Sequence, residues 1–225
     1  MKPSITLAEA TTPDGSTLSL QIRDGHYHMR VAGRGLMSTT ATSSEARLAE
    51  LGCEKLAITG GKRILIGGLG FGFTLRRVLD LVPTDAHVQV AELVPEVVAW
   101  NREHLQSVNG GLVDDARVEI LTEDVFTVLA RADPVSVDAA LFDVDNGPTA
   151  LVDSGNARLY ADHGLRMLSR ALRVGGRAVF WSRSPDRAFM TRLTAAGFCA
   201  TAVDAKAYSK AKRRTHTLFV ADWLG

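Results

Sequence analysis

The sequence predicts an α/β fold: a doubly wound, mostly parallel seven-stranded sheet with an antiparallel last strand, preceded by a small N-terminal β-hairpin segment. Three observations carry that expectation. From residue 63 onward, short apolar runs alternate with helix-length amphipathic segments, the pattern of a parallel sheet covered on both faces. The first of those runs leads straight into a glycine cluster, RILIGGLGFG, at residues 63–72. Residues 17–37 place two alternating runs on either side of Asp24-Gly25, a strong hairpin signal.

Residues 1–42 therefore read as a β-rich segment, and residues 43–225 as the main domain. Thr42 and Glu45 have capping-box spacing, and apolar residues follow at helical intervals, so a helix begins at residue 43. RILIGG is a buried strand and FTLRRVLDLV a helix. HVQVAE is the second strand, and VPEVVAWNREHL a helix with Pro95 in its first turn. ARVEIL and DVFTVLARA continue the alternation. VDAALFD is the fourth strand, and NARLYADHGLRMLSRALR is a long amphipathic helix. GGRAVFWS is the fifth strand, and PDRAFMTRLTAAG is a helix started by proline. FCATAVDA and HTLFVADW close the sheet as a pair joined by a basic turn, KAYSKAKRR (206–214).

Bulk properties narrow the function. Apolar residues make up 46% of 225, enough for a full core, and the net charge is +1. That balance argues against a nucleic-acid surface and against a polybasic membrane anchor. There is no apolar leader and no run long enough to span a membrane. Cys53 and Cys199 form no metal motif, the histidines are scattered, and a reduced, cytoplasmic setting fits. No metal is expected.

A doubly wound sheet binds ligands at the carboxyl ends of its strands. Four loops lie there. The first holds Gly67, Gly68, Gly70 and Gly72. Phe73 takes the place of the last glycine of a dinucleotide fingerprint, and the P-loop lysine is missing, so a phosphate is not the expected guest. The second loop holds Glu92 and Leu93, about 20 residues past the glycines, where an acid grips a ribose diol. The third holds Glu123, Asp124 and Val125. Asp124 suits either an exocyclic adenine amine or a plain helix N-cap. The fourth, FDVDNGP, holds Asp143 and Asp145, two close carboxylates suited to accepting a proton from an amine or orienting it. The alternative there is a solvated Asp-Asn-Gly-Pro turn. Tyr160, opening the long helix, either reaches an acceptor or packs in the core. Trp181 is expected to pack. His26 and His28 point to one face of the hairpin, where one of them is a candidate base.

These loops together resemble the class I S-adenosylmethionine-dependent methyltransferase superfamily, a Rossmann-like fold, and more narrowly its spermidine-synthase-like (aminopropyltransferase-like) branch. GGLGFG is similar to the branch's GGGDGG loop, DVDNGP to its catalytic loop, and ARLYADHGL to the helix start that follows. The resemblance implies that Glu92 binds the ribose hydroxyls and Asp124 the adenine. It implies that Gly68, Gly70 and Gly72 line the methionine portion, and that Asp143 deprotonates or orients the attacking amine. It also implies an N-terminal segment that lies over the acceptor site.

Two departures set the finer expectation. Gly70 stands where the branch keeps an acid that holds the free amine of decarboxylated S-adenosylmethionine. The catalytic loop lacks its second Asp-Pro and is two residues shorter. The expectation is therefore methyl transfer from S-adenosylmethionine to a small-molecule acceptor. The alternative is aminopropyl transfer from decarboxylated S-adenosylmethionine to a polyamine precursor. A non-catalytic binding domain on the same fold is a further alternative. The basic turn, if it faces the pocket, favours an anionic or carboxylate-bearing acceptor over a polycation. The hairpin's free edges leave room for a homodimer.

Overall fold

Alternating apolar residues build two sheets, and the computed structural model describes residues 3–56, 60–144, 154–208 and 215–225. The N-terminal sheet has four antiparallel strands in sequential order: β1 (Ile5–Thr11), β2 (Thr17–Arg23), β3 (His26–Val31) and β4 (Arg34–Ser38). Asp24 and Gly25 both adopt positive φ (50° and 79°), the geometry of a tight hairpin turn, as the sequence predicts. A second such pair, Ala32 and Gly33 (46° and 74°), turns β3 into β4. The segment is thus larger than the predicted hairpin. β1 escapes sequence reading because its burial is slight, and the Ala32 turn because alanine seldom takes that conformation.

Helix α1 (Ser43–Cys53) leads into the main sheet. Its predicted capping box does not form. Thr42 makes no side-chain cap, and the Glu45 carboxylate turns inward to accept from Ser44 Oγ at 2.6 Å. The seven-stranded sheet contains β5 (Arg63–Gly67), β6 (His87–Ala91), β7 (Val118–Leu121), β8 (Val137–Phe142), β9 (Leu172–Ser182), β10 (Cys199–Ala205) and β11 (His216–Asp222). Its order is β10-β11-β9-β8-β5-β6-β7, with β11 antiparallel to both β9 and β10. This is the doubly wound sheet the sequence predicts.

Strand residues alternate between two cores. Ile64, Ile66, Leu141, Val179 and Leu218 face α1, α2 (Phe73–Leu81) and α3 (Pro95–Glu103). Leu65, Phe142, Phe180 and Phe219 face α5 (Val125–Arg131), α6 (Asp162–Ala171) and α7 (Arg187–Ala195). The short α4 (Gln106–Asn109) follows α3. Gly52 lets α1 pack tightly on β8, since a Cβ there would sit 2.9 Å from Leu141. Arg177 ties the same region together: its buried guanidinium meets Asp222 at 2.7 Å, Glu54 at 2.8 Å and the Leu51 carbonyl at 3.0 Å.

Two helix starts differ from expectation. The long helix shortens to α6, because Gly164 packs against the backbone of Arg158 and Leu159 and a 3-10 turn (Ser154–Arg158) precedes it. The seventh helix starts at Asp186, whose carboxylate accepts from Phe189 N at 2.8 Å, rather than at the proline. Among the described residues, no helix is long and apolar enough to cross a membrane.

Candidate active site

The carboxyl ends of β5, β6, β7, β8 and β9, with the start of β11, form one rim. Above it lies a cavity of about 440 Å³, roofed by β3 and β4 of the N-terminal sheet. That size and position suit a small-molecule site. Strand pairing sets the order along the rim. Glu123 and Asp124 follow β7, Glu92 follows β6, and Gly68 follows β5. Asp143 follows β8, Trp181 and Arg183 lie at the end of β9, and His216 opens β11.

The glycine loop is held from two sides. Glu92 is buried, and its carboxylate accepts from Leu69 N and Val94 N, each at 2.9 Å. Burial pushes its carboxyl up, and the backbone N–H groups act in the opposite direction. From behind, the fully buried Asn101 donates to the Gly70 carbonyl at 2.8 Å and to the Val97 carbonyl at 2.8 Å. Asn109 donates in turn to Asn101 Oδ1 at 2.6 Å. Sequence reading missed this asparagine pair, which has no motif beyond its helical position.

The four glycines divide by role. Gly68 and Gly70 line the cavity. A Cβ on Gly68 would lie 2.4 Å from the Asp143 carbonyl, so the neighbouring strand end is what comes close there. A Cβ on Gly70 would lie 2.7 Å from Met37 of β4. Gly67 does not line the cavity; Val125 and Phe142 pack against it. Gly72 does not line it either, and serves as the left-handed N-cap of α2 with φ 83°. The expected ligand role of Gly72 is corrected on that ground.

Leu93, Glu123, Asp124 and Val125 all line the cavity. Asp124 is the N-cap of α5, accepting from Phe126 N at 2.9 Å, and its other oxygen pairs with Arg158. Glu123 pairs with Arg131. Tyr160 lies outside the cavity, buried against Phe180 and Phe189 with ring centroids 5.9 and 5.3 Å away. Its expected catalytic reach is corrected: the tyrosine precedes α6 and fills the core. Asp145 and most of the basic turn lie outside the described residues.

The centre of the cavity holds a pair of acids. Asp143 accepts from Thr74 Oγ1 at 3.0 Å, and burial pushes its carboxyl up to about 6. Glu45, reaching in from α1, is raised to about 7 by burial and then by the Asp143 charge. Glu45 was read as a cap, so this role was missed. The cue was an acid set among small residues, Ser43, Ser44 and Ala46, at the head of the helix.

The β9–β11 end is different. Trp181 and His216 pack tilted with centroids 4.8 Å apart, and among the described residues Trp181 Nε1 and His216 Nδ1 are buried with no hydrogen-bond partner. Trp181 therefore belongs to the site, contrary to expectation. Burial, then the Arg183 charge, holds the His216 imidazole below its usual range. From the roof, His28 reaches the cavity while His26 does not, and burial lowers His28 as well. Among the described residues, no group of three His, Cys, Asp or Glu side chains is placed to hold a metal ion.

The doubly wound sheet, with a glycine loop after β5, an acid after β6 and an acid after β8, is a Rossmann-like α/β domain with its cavity at the strand ends where such folds bind ligands. The chain belongs to the spermine/spermidine synthase family, whose domain model matches residues 47–192. It is 31% identical over 146 residues to a polyamine aminopropyltransferase of Mycobacterium tuberculosis, covering 64% of this chain and 27% of that protein. It is 36% identical over 161 residues to polyamine aminopropyltransferase 2 of Pseudomonas aeruginosa, covering 69% of this chain and 44% of that one. The chain thus spans less than half the length of either relative. Its fold matches the spermidine synthase of Thermotoga maritima with a TM-score of 0.74 at 17% identity, covering 96% of this chain and 72% of that one. A probable spermidine synthase of Corynebacterium glutamicum gives 0.68 at 18% identity, covering 99% and 81%.

These findings correct the expectation of methyl transfer, because the matched family and relatives are aminopropyl-transferring in name. Gly70 removes one acid from the glycine loop, but α1 brings another carboxylate to the same cavity.

Proposed function

We propose that this domain transfers the aminopropyl group of decarboxylated S-adenosylmethionine to a small amine acceptor. The observation that carries this reading is the buried pair Glu45 and Asp143 beside Gly68 and Gly70. Two acids in one apolar pocket suit a cationic amine and the proton its reaction releases.

Glu92 is placed to accept from the ribose hydroxyls while its backbone bonds keep it fixed. Val125 and Asp124 flank the adenine end. The acceptor nitrogen attacks the aminopropyl carbon bonded to the sulfonium. The C–N bond forms, the C–S bond breaks, and its electron pair neutralises sulfur, leaving methylthioadenosine. The ammonium proton passes to Asp143, whose raised carboxyl is matched to that task near neutral pH. The roof strands β3 and β4 exclude water and hold the reactants in line. A homodimer contact is placed at the free edge of β1, where Ile5 and Leu7 are exposed.

Calorimetry of the full chain with methylthioadenosine and with S-adenosylhomocysteine tests the reading. Methylthioadenosine is expected to bind at least tenfold more tightly, and decarboxylated donor plus an amine should yield an adduct heavier by one aminopropyl group. Tighter binding of S-adenosylhomocysteine, or binding of neither, refutes it.

A further inference from the structure

The cavity is electrically asymmetric. Its described carboxylates lie at the β6–β7 end and at the centre: Glu123, Asp124, Glu92, Asp143 and Glu45. Beyond Asp143, the described lining carries two arginines, an indole and two imidazoles. Trp181, Arg183 and His216 come from the main sheet, and His28 and Arg30 come from the roof. Four strand spacings separate β6 from β11, roughly 19 Å of rim. That length seats an adenosyl group at one end and an acceptor at the other.

Two features of this far end call for a ligand. Among the described residues, Arg183 has no ion pair or hydrogen bond; its only described electrostatic neighbour is His216. The indole Nε1–H of Trp181 is buried without an acceptor, and an indole nitrogen can only donate. A buried donor left unpaired is costly, and native structures rarely tolerate one without a reason. His216 Nδ1, in the ring packed against the same indole, is likewise unpaired among the described residues. Arg30 is turned to the Gly33 carbonyl, and among the described residues β3 and β4 bring no carboxylate to the cavity. An ammonium placed here would meet the Arg183 and Arg30 charges and no described carboxylate from β9 or β11.

We propose that the β9–β11 end of the cavity is a carboxylate-recognition subsite, so that the aminopropyl acceptor is a zwitterionic amine rather than a diamine. The acceptor's amine lies by Glu45 and Asp143, and its anionic group lies against Arg183, with Trp181 Nε1–H and the His216 ring beside it. Arg183 is the specificity-determining residue. This inference rests on the aminopropyl-transfer reading.

The test uses two probes of matched length, γ-aminobutyrate and putrescine, with the full chain. Acceptor binding is measured by calorimetry on protein saturated with methylthioadenosine, and turnover by mass spectrometry with decarboxylated donor. γ-Aminobutyrate is expected to bind and react at least tenfold better than putrescine. Arg183→Glu should reverse that order while leaving methylthioadenosine affinity within about twofold. A wild-type preference for putrescine, an Arg183→Glu variant with unchanged preference, or binding of neither probe to the loaded protein overturns the subsite. The first two results leave aminopropyl transfer intact. Failure of methylthioadenosine to bind instead removes the aminopropyl reading, and the subsite with it.

Discussion

Replacing Glu45 with glutamine separates stability from function. The folded chain raises this carboxyl from 4.5 to about 7, by burial first and the Asp143 charge second. A folded-state value above the unfolded one means the native state binds more protons between those two limits. Stability from this group is therefore full below about pH 4.5 and falls as pH rises through about 7. At about 1.4 kcal/mol for each pH unit between those limits, the ceiling is about 3–4 kcal/mol. Glu45 is 7% exposed, so solvent screening discounts this little. Glu45→Gln keeps the shape and an acceptor for Ser44 Oγ but never ionises. At pH 8 the variant should be more stable than the parent by about 2–3 kcal/mol, near 5–10 °C in Tm for a chain of this size. Near pH 4, below both limits, the two should nearly coincide. Urea unfolding of both proteins at half-unit steps from pH 4 to 8 reads the effect directly. A stability difference that does not change with pH would refute the reasoning, because Glu45 would then be ionised at ordinary values and solvated. Aminopropyl transfer by the variant should fall at least tenfold.

Three further outcomes follow from the same geometry. Asn101→Ala removes the donor that fixes the Gly70 carbonyl and frees Asn109; calorimetry should show methylthioadenosine binding at least tenfold weaker, with about 1–3 kcal/mol of stability lost. Glu92→Ala should weaken methylthioadenosine by roughly 2–5 kcal/mol, since the ribose loses its acceptor and Leu69 N and Val94 N lose theirs; an unchanged Kd would mean the ribose lies elsewhere. Arg177→Met leaves Asp222, whose carboxyl burial raises but the guanidinium and Lys55 together hold low, with Lys55 alone, and chemical unfolding should register a loss of about 1–3 kcal/mol at pH 7. Because that carboxyl is depressed, the contribution is present above about pH 4 and fades in more acid, so the gap between variant and parent should narrow there.

The main sheet was legible because its strands are buried on both faces and its connections are short. Continuous runs such as RILI and AALF admit few other readings. Glu92 and Asp143 were legible for a related reason: a strand end fixes where an acid must point. What escaped depends on approach between distant segments. β1 and β4 are only partly buried and carry weak patterns. Tyr160 looked like a helix opener, but Gly164 and the turn before it displace the helix start and send the ring into the Phe180–Phe189 cluster. Trp181 sits where strand and cavity meet, and only the antiparallel pairing of Leu218 with it places His216 on its face.

Gly70 shows why a single absent motif residue is a weak guide to chemistry. Read along the chain, its missing acid leaves the donor's free amine without a counter-ion. In space the requirement is for negative charge within reach of the transferred group, and any segment can supply it. Here the thioether end of Met37 of β4 lies over Gly70, 2.7 Å from where a Cβ would sit. That end is flexible and can give way, whereas Gly70 holds φ at 51°, a conformation that strains most L residues. On the aminopropyl-transfer proposal, negative charge comes from another direction, through Glu45 of α1 beside Asp143. If the two acids are alternatives, adding Gly70→Asp to Glu45→Gln should recover part of the lost turnover, since Met37 can yield and aspartate is among the few residues that tolerate a positive φ. Absence of recovery even with Met37→Ala added would show that an acid in the loop cannot stand in for Glu45.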